Sequence, residues 1–189
     1  MTMAGSLPVP NTWINDRFGS KKGLVRFSYY ELRRLVGEYN PLMIDSDFQP
    51  ARFVFVCVGN ICRSPLAELV AKAHGIEAIS YGLGTRGGDP ADPRAIDFAN
   101  NVGMDLTKHR TRRIEQYTHR SSDLIVGMEP RHLSPISKMH KEAKITLLGL
   151  YDNSSCAYIH DPFNTNSIFF YNCGKTVVEA TTSLIRHVN

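Results

Sequence analysis

The chain has 189 residues, 42% of them hydrophobic and 21% charged, which describes one globular domain with room for an appendage and excludes an extensively disordered chain. The formal net charge of +4 falls short of the concentrated basic signature of a dedicated nucleic-acid binder, and no apolar run reaches the roughly 18 residues a membrane span needs. Four cysteines without close, even spacing, and no apolar signal segment at the start, predict a reducing cytoplasm rather than a secreted disulfide scaffold.

The first patterned segment is "SYYELRRLVGEY", residues 28–39. Ser28 and Glu31 have the spacing of a capping box, and Leu32, Leu35, Val36 and Tyr39 share one face, so a short amphipathic helix is expected there. That face predicts docking on the rest of the chain. Between Arg17 and Arg34 stand six basic residues against one acidic, a balance that also suits an anionic membrane surface or an acidic partner. The segment "NPLMIDSDFQP", with two prolines and small polar residues, then marks a boundary near residue 50. It divides an N-terminal extension, 1–50, from a domain over 51–189.

Within that domain strand and helix signals alternate. "RFVFVCV" reads as extended, "SPLAELVAKAHG" as helical, "EAISYG" as extended and "DPRAIDFANNVG" as helical. "SDLIVGM" is extended, "EPRHLSPISKMHKEA" helical, "KITLLGL" extended and "GKTVVEATTSLIRHV" helical. Gly75 and Gly103 stand where two of these helices would stop. The basic stretch "KHRTRRIEQYTHR" reads as a solvated helix face that also attracts acidic phosphopeptides. Apolar strands separated by helices imply an α/β, doubly wound, four-stranded parallel sheet with helices on both faces. In such a sheet a ligand sits at the carboxyl ends of the strands, where strand order reverses.

"CVGNICRSP", residues 57–65, occupies such a position, after the first strand of the domain and before its first helix. Gly59 lets the backbone curl, and Ser64 followed by Pro65 is the expected N-cap with proline at the first helical position. The free N–H groups of the helix start then form a cradle for a tetrahedral dianion, and Arg63 adds a planar two-pronged contact. A thiol at the mouth of that cradle has its anion stabilised by the same donors, which makes Cys57 a candidate nucleophile. The Ser64 hydroxyl is placed to hydrogen-bond that sulfur. Attack on a phosphate ester also needs an acid for the departing oxygen, and "HDPF" offers Asp161 beyond the strand "KITLLGL", on a loop stiffened by Pro162.

These residues resemble the low-molecular-weight protein tyrosine phosphatases. "VCVGNICRSP" is similar throughout to that family's phosphate loop, "HDPF" to its acid loop, "SYGLGTRGGDPADPRA" to the segment after its second strand, and "SDLIVGME" extends the likeness across roughly residues 52–187. The resemblance implies Cys57 as nucleophile, Arg63 as phosphate and transition-state clamp, and Asp161 as general acid and then base. It assigns Val58, Gly59, Asn60, Ile61, Cys62, Arg63 and Ser64 to phosphate binding, with Asn60 and Ser64 shaping the loop. Cys62 becomes the neighbouring thiol that traps an oxidised nucleophile as a reversible disulfide. No cofactor or metal is implied. The partner implied is a phosphotyrosine protein. "LGTRGGDP" lacks the aromatic wall common in eukaryotic members and is closer to bacterial members that act on autophosphorylated tyrosine kinases in exopolysaccharide production. Tyr81, between the Ser and Gly of "SYG", and Phe163, after the Asp-Pro pair, depart from the family's usual residues without touching the chemistry.

Three other readings compete. A structural zinc site would take Cys57, Cys62, Cys156 and His160, but the spacing is poor and zinc has no use for Arg63. Arsenate reduction needs a further close cysteine pair, whereas Cys156 and Cys173 stand seventeen apart. A silent phosphotyrosine-binding module has no need of both Cys57 and Asp161.

Overall fold

Strands β1 (Arg52–Cys57), β2 (Ala78–Gly82), β3 (Asp123–Gly127) and β4 (Lys144–Leu147) form one parallel sheet in the order β2-β1-β3-β4. The computed structural model describes residues 11–152 and 156–188, so the first ten residues of the predicted extension lie outside the described residues. Every residue of β1 and of β3 is buried, which is why these segments are apolar almost throughout rather than alternating. Phe53 and Phe55 face one layer, built with α3 (Arg63–Ala73), α4 (Pro93–Asn101) and α6 (Ser167–Val188). Val54 and Val56 face the other, with Tyr81, Ile114, Tyr117 and Ile136, the last from α5 (Leu133–Met139). The expected doubly wound architecture is therefore present.

The chain leaves β1 for β2 on one side and then crosses over to β3 on the other. The carboxyl end of β1 is thus the point where strand order reverses, and Cys57 is its last residue. Helices α3 and α4 stop at the expected glycines. Gly75 and Gly103 have φ of +77° and +76°, and the next amides, Ile76 and Met104, reach back to Ala71 O and Ala99 O.

Several boundaries differ from the sequence expectation. Helix α6 begins at Ser167, seven residues before Gly174, because Asn166 caps it through a bond from Phe169 N to Oδ1 (2.9 Å). Gly174 is instead a packing residue, since a Cβ there would lie 2.8 Å from the Phe98 ring. Strand β4 ends at Leu147 and passes into a 3-10 turn over Leu148–Tyr151, where a Cβ on Gly149 would lie 2.0 Å from Cys156 O. The stretch 108–120 is not a helix face: only Ile114–Gln116 forms a 3-10 turn, and Ile114 and Tyr117 point into the core.

The N-terminal region contains two helices, α1 (Asn11–Phe18) and α2 (Lys21–Leu35). Gly19, at φ +76°, turns the chain between them, and Ser20 caps α2 by accepting from Gly23 N (2.9 Å). Ser28 is therefore inside the helix and forms no capping box. The predicted docking face is also corrected. Leu32, Leu35 and Val36 are 64%, 67% and 74% exposed, and of the expected face only Tyr39 is buried, against Leu147 and Ala157. The helix carries apolar residues on two sides, and the side of Gly23 and Tyr30 meets its neighbours: a Cβ on Gly23 would lie 1.9 Å from Phe18 O and 3.1 Å from His160 Nε2, and the Tyr30 ring packs on Tyr158. Beyond α2 the chain covers the edge of the sheet at β4, with Thr146 Oγ1 donating to Leu42 O (2.7 Å). No helix among the described residues is long and apolar enough to cross a membrane.

Candidate active site

The cradle is built where β1 ends. After Cys57 the chain curls through Val58–Cys62 and enters α3 at Arg63. The curl depends on Asn60, whose φ of +56° lies in the left-handed region. Its side chain compensates for that backbone. Nδ2 donates to Ser64 Oγ (2.9 Å) and Ser80 Oγ (2.8 Å), while Oδ1 accepts from Arg112 N (2.8 Å). Its carbonyl oxygen lies 2.7 Å from His109 Nε2, and because a carbonyl only accepts, that nitrogen carries the proton. Ser80 Oγ donates in turn to Glu68 Oε2 (2.6 Å), which also pairs with Arg112.

Cys57 Sγ accepts from Asn60 N (3.2 Å) and lies 3.0 Å from Ser64 Oγ. The amides of Gly59, Ile61 and Cys62 have no acceptor among the described residues. They belong to a curl leading into a helix N-terminus, whose first N–H groups are free of intrahelical partners. Ser64 does not cap α3 as expected. The helix begins two residues earlier, with Cys62 at the N-cap and no side-chain cap bond, and the Ser64 hydroxyl is engaged by Asn60 and Cys57.

Arg63 lies under the cradle and is only 2% exposed. Its Nη1 donates to Glu129 Oε1 (2.6 Å) and to Ile159 O (2.8 Å), and Nη2 pairs with Asp161 Oδ2 (2.9 Å). Its Nε is buried with no partner among the described residues. An unpaired N–H on a buried guanidinium is costly unless something accepts from it. The arginine of "CVGNICRSP" and the aspartate of "HDPF" are thus paired, although Asp161 is about a hundred positions from Arg63 in sequence.

Glu129 was not singled out from the sequence. It is fully buried one residue beyond the Met128 that follows β3, at the same carboxyl edge as Cys57. Burial alone would raise its carboxyl, but the Arg63 guanidinium, with Arg131, outweighs that and holds it below the usual range. An acidic residue directly after a wholly apolar strand is the signal that could have found it. Ser80, Glu68, Arg112 and His109 carry no comparable signal, since they act only by bracing Asn60. His132 is buried beside Glu129, and burial pushes its imidazole down to about 4, so it is neutral.

The remaining candidates separate cleanly. Among the described residues no group of three or more His, Cys, Asp or Glu side chains is arranged to hold a metal ion, so the zinc quartet is not brought together. Cys156 and Cys173 are buried, and their thiols donate to Tyr158 O and His160 O. Burial pushes both thiols up, to about 11 and about 12, and neither forms a pair to relay a disulfide. Tyr81 is buried against Tyr117 on the far face of the sheet, whereas Phe163 is half exposed beside Asp161.

Known proteins resemble this chain in sequence and in fold. Residues 52–189 match the family described as low molecular weight phosphotyrosine protein phosphatase. The Escherichia coli K12 low molecular weight protein-tyrosine-phosphatase Wzb is 42% identical over 112 residues, covering 57% of this chain and 75% of that protein. A Streptomyces coelicolor low molecular weight protein-tyrosine-phosphatase is 34% identical over 155 residues, covering 72% and 93%. Among solved structures, the Erwinia amylovora tyrosine phosphatase amsI superposes with a TM-score of 0.67 at 28% identity, covering 75% of this chain and 95% of its own. The chain belongs to the low-molecular-weight protein tyrosine phosphatases, hydrolases that cleave phosphotyrosine through a cysteine nucleophile.

Proposed function

We propose that Cys57, Arg63 and Asp161 carry the reaction. Cys57 Sγ attacks phosphorus, the bond to the tyrosyl oxygen breaks, and Asp161 gives that oxygen a proton. The resulting phosphocysteine is hydrolysed by a water whose proton passes back to Asp161. Phosphate leaves, and the Ser64 hydroxyl stabilises the departing sulfur. The amides of the curl and Arg63 match the charge on the transferring group, the role a metal ion fills in other phosphatases. The observation that carries this reading is the buried, unpaired Arg63 Nε in a guanidinium that also touches Asp161.

The test uses two variants. Cys57→Ser is expected to abolish turnover, and Asp161→Asn to slow ester cleavage by about 10²–10⁴-fold while vanadate binding stays near that of the parent. Equal and mild losses in both would mean that the roles are misassigned. Activity on para-nitrophenyl phosphate should survive a chelator.

The proposed substrate is an autophosphorylated bacterial tyrosine kinase. What supports this is the loop over residues 83–90, which contains no aromatic side chain to wall the site, and the bacterial origin of the relatives. Dephosphorylation of such a kinase at least as fast as of a single phosphotyrosine peptide is the expected result; indifference to the kinase would remove the proposal. We place the reaction in the cytoplasm, where four free cysteines remain reduced.

Cys62 is proposed as the redox partner. Peroxide converts Cys57 to a sulfenic acid, and the Cys62 thiol condenses with it, forming the disulfide and releasing water. Burial pushes the Cys62 thiol far above its ordinary range, so it does not compete as a nucleophile in the reduced enzyme. Peroxide followed by dithiothreitol should restore activity in the parent and fail in Cys62→Ser; full recovery in that variant would exclude the mechanism.

A further inference from the structure

The family match begins at residue 52, which leaves α1 and α2 outside it, yet these helices pack on the catalytic domain, α1 against α6 and the hairpin against one loop segment. That segment, residues 158–166, carries Asp161. Asn166 Nδ2 donates to Asp16 Oδ1 (2.7 Å). A Cβ on Gly19 would lie 2.7 Å from His160 Cδ2, 2.9 Å from Thr165 Cγ2 and 3.1 Å from the Phe169 ring, so the turn between the two helices presses on residues either side of Asp161. The Tyr30 ring packs on Tyr158 with centroids 5.1 Å apart, and Tyr158 OH shares a hydrogen bond with His160 Nδ1.

The same segment is held from three other directions, one of them α6, where Cys173 Sγ donates to His160 O (3.6 Å) and the Phe169 ring packs on His160 with centroids 5.6 Å apart. The domain fixes its start, through Ile159 N to Met128 O (3.0 Å) and Arg63 Nη1 to Ile159 O (2.8 Å). Helix α4 fixes its far end, through Arg94 Nη2 to Phe163 O (2.6 Å) and Nη1 to Thr165 O (3.1 Å). The glycine turn closes on the His160 ring and on Thr165 from the side of the hairpin. A cavity of about 510 Å³, lined by Trp13, Phe18 and Phe27 across from Tyr158, His160 and Phe169, adjoins this contact. The hairpin therefore bears on the segment at few points, chiefly Asp16, Gly19, Gly23 and Tyr30.

We infer that the α1–α2 hairpin is a positioning element for the general acid, setting the place of Asp161 over the cradle through His160, Thr165 and Asn166. This rests on the assignment of Asp161 as the acid. A hairpin that only covered apolar surface would affect stability and leave the chemistry uniform across substrates. A hairpin that positions the acid would matter most where protonation of the leaving group matters most.

The experiment is a series of aryl phosphates of increasing phenol pKa, with kcat/KM measured for the full-length parent, Asp161→Asn, Tyr30→Ala, Asp16→Ala and Tyr30→Phe. In Asp161→Asn the rate should fall steeply as the leaving group worsens. Tyr30→Ala and Asp16→Ala should show intermediate slopes, with about ten-fold loss on the poorest leaving group and near-parental rates on the best. Vanadate inhibition should be unchanged in both, and Tyr30→Phe, which keeps the ring, should behave as the parent. Hairpin variants that run parallel to the parent across the series would overturn the inference while leaving Asp161 as the acid. An Asp161→Asn profile parallel to the parent would overturn the acid assignment and this inference with it. Tyr30→Ala and Asp16→Ala alter partly exposed contacts, so if one fails to fold the other still reads the slope.

Discussion

The two ends of the central sheet each bury an arginine against a carboxylate, and they are finished differently. At the amino end Arg52 and Asp123, register partners on β1 and β3, form a two-pronged pair of 3.0 and 2.6 Å. Tyr117 OH and Arg120 N donate to the same Asp123 Oδ2, and Arg52 also reaches Thr118 O. At the carboxyl end Arg63 meets Glu129 and Asp161, but its Nε is left over and Asp161 remains partly exposed. A closed polar network joins strands; an open one, beside unaccepted amides, is organised around something that arrives from outside. Burial and charge are similar at the two ends, so satisfaction of the donors is what distinguishes structure from function.

The comparison breaks most sharply at Arg63. Arg63→Lys keeps the charge but loses the planar fork, and kcat/KM on a phosphotyrosine peptide should drop by about 10³-fold. A loss no larger than that of Arg52→Lys would erase the distinction between the two ends. At the other end Arg52→Met leaves Asp123 buried and unpaired, which should destabilise the fold by about 3–5 kcal/mol in urea unfolding. Its kcat/KM at a temperature where it remains folded should match the parent.

A third test uses pH. The folded His132 imidazole is held at about 4, below its ordinary 6.5, so the unfolded chain takes up a proton that the native protein refuses. The contribution to stability is complete above pH 6.5 and is lost as pH falls through 4, by an amount on the order of 3 kcal/mol. Glu129, also depressed, acts in the same direction at lower pH. Neither His132 ring nitrogen has a hydrogen-bond partner among the described residues, so His132→Leu breaks no such bond and should flatten the melting temperature between pH 6.5 and 4.5. An unchanged slope would remove His132 as the cause. The smallest effect is expected from Ser80→Ala, which takes one support from Asn60 and should cost about 1 kcal/mol, with a modest fall in kcat/KM.

What the sequence revealed and what it hid follow from how each part is assembled. The cradle was legible because Cys57 to Ser64 are contiguous and each residue type answers a local need. The place of Asp161 beside Arg63 was legible because "HDPF" follows a strand ending on the same edge. Glu129, Ser80 and Arg112 were not, since their importance lies in meeting Arg63 or Asn60 across the fold. The face of α2 was not legible because apolar residues on two sides give periodicity no means of choosing, and the choice fell to contacts made across the fold, Tyr30 on Tyr158 among them. Ser64 was misread as a cap because capping and supporting a sulfur call for the same hydroxyl.

Asn60 holds a left-handed backbone that costs a residue with a side chain about 1 kcal/mol. Ser64, Ser80, Arg112 and His109 hold it there without any ligand. The consequence is calorimetric. The donors of the cradle are ordered when the protein folds, so capture of a dianion freezes few torsions, and titration with vanadate should show little entropic opposition from the protein. An Asn60→Gly chain, relieved of the strain but stripped of its braces, should bind the same anion with a larger opposing entropy, because it would have to assemble at the moment of binding what the parent assembles once.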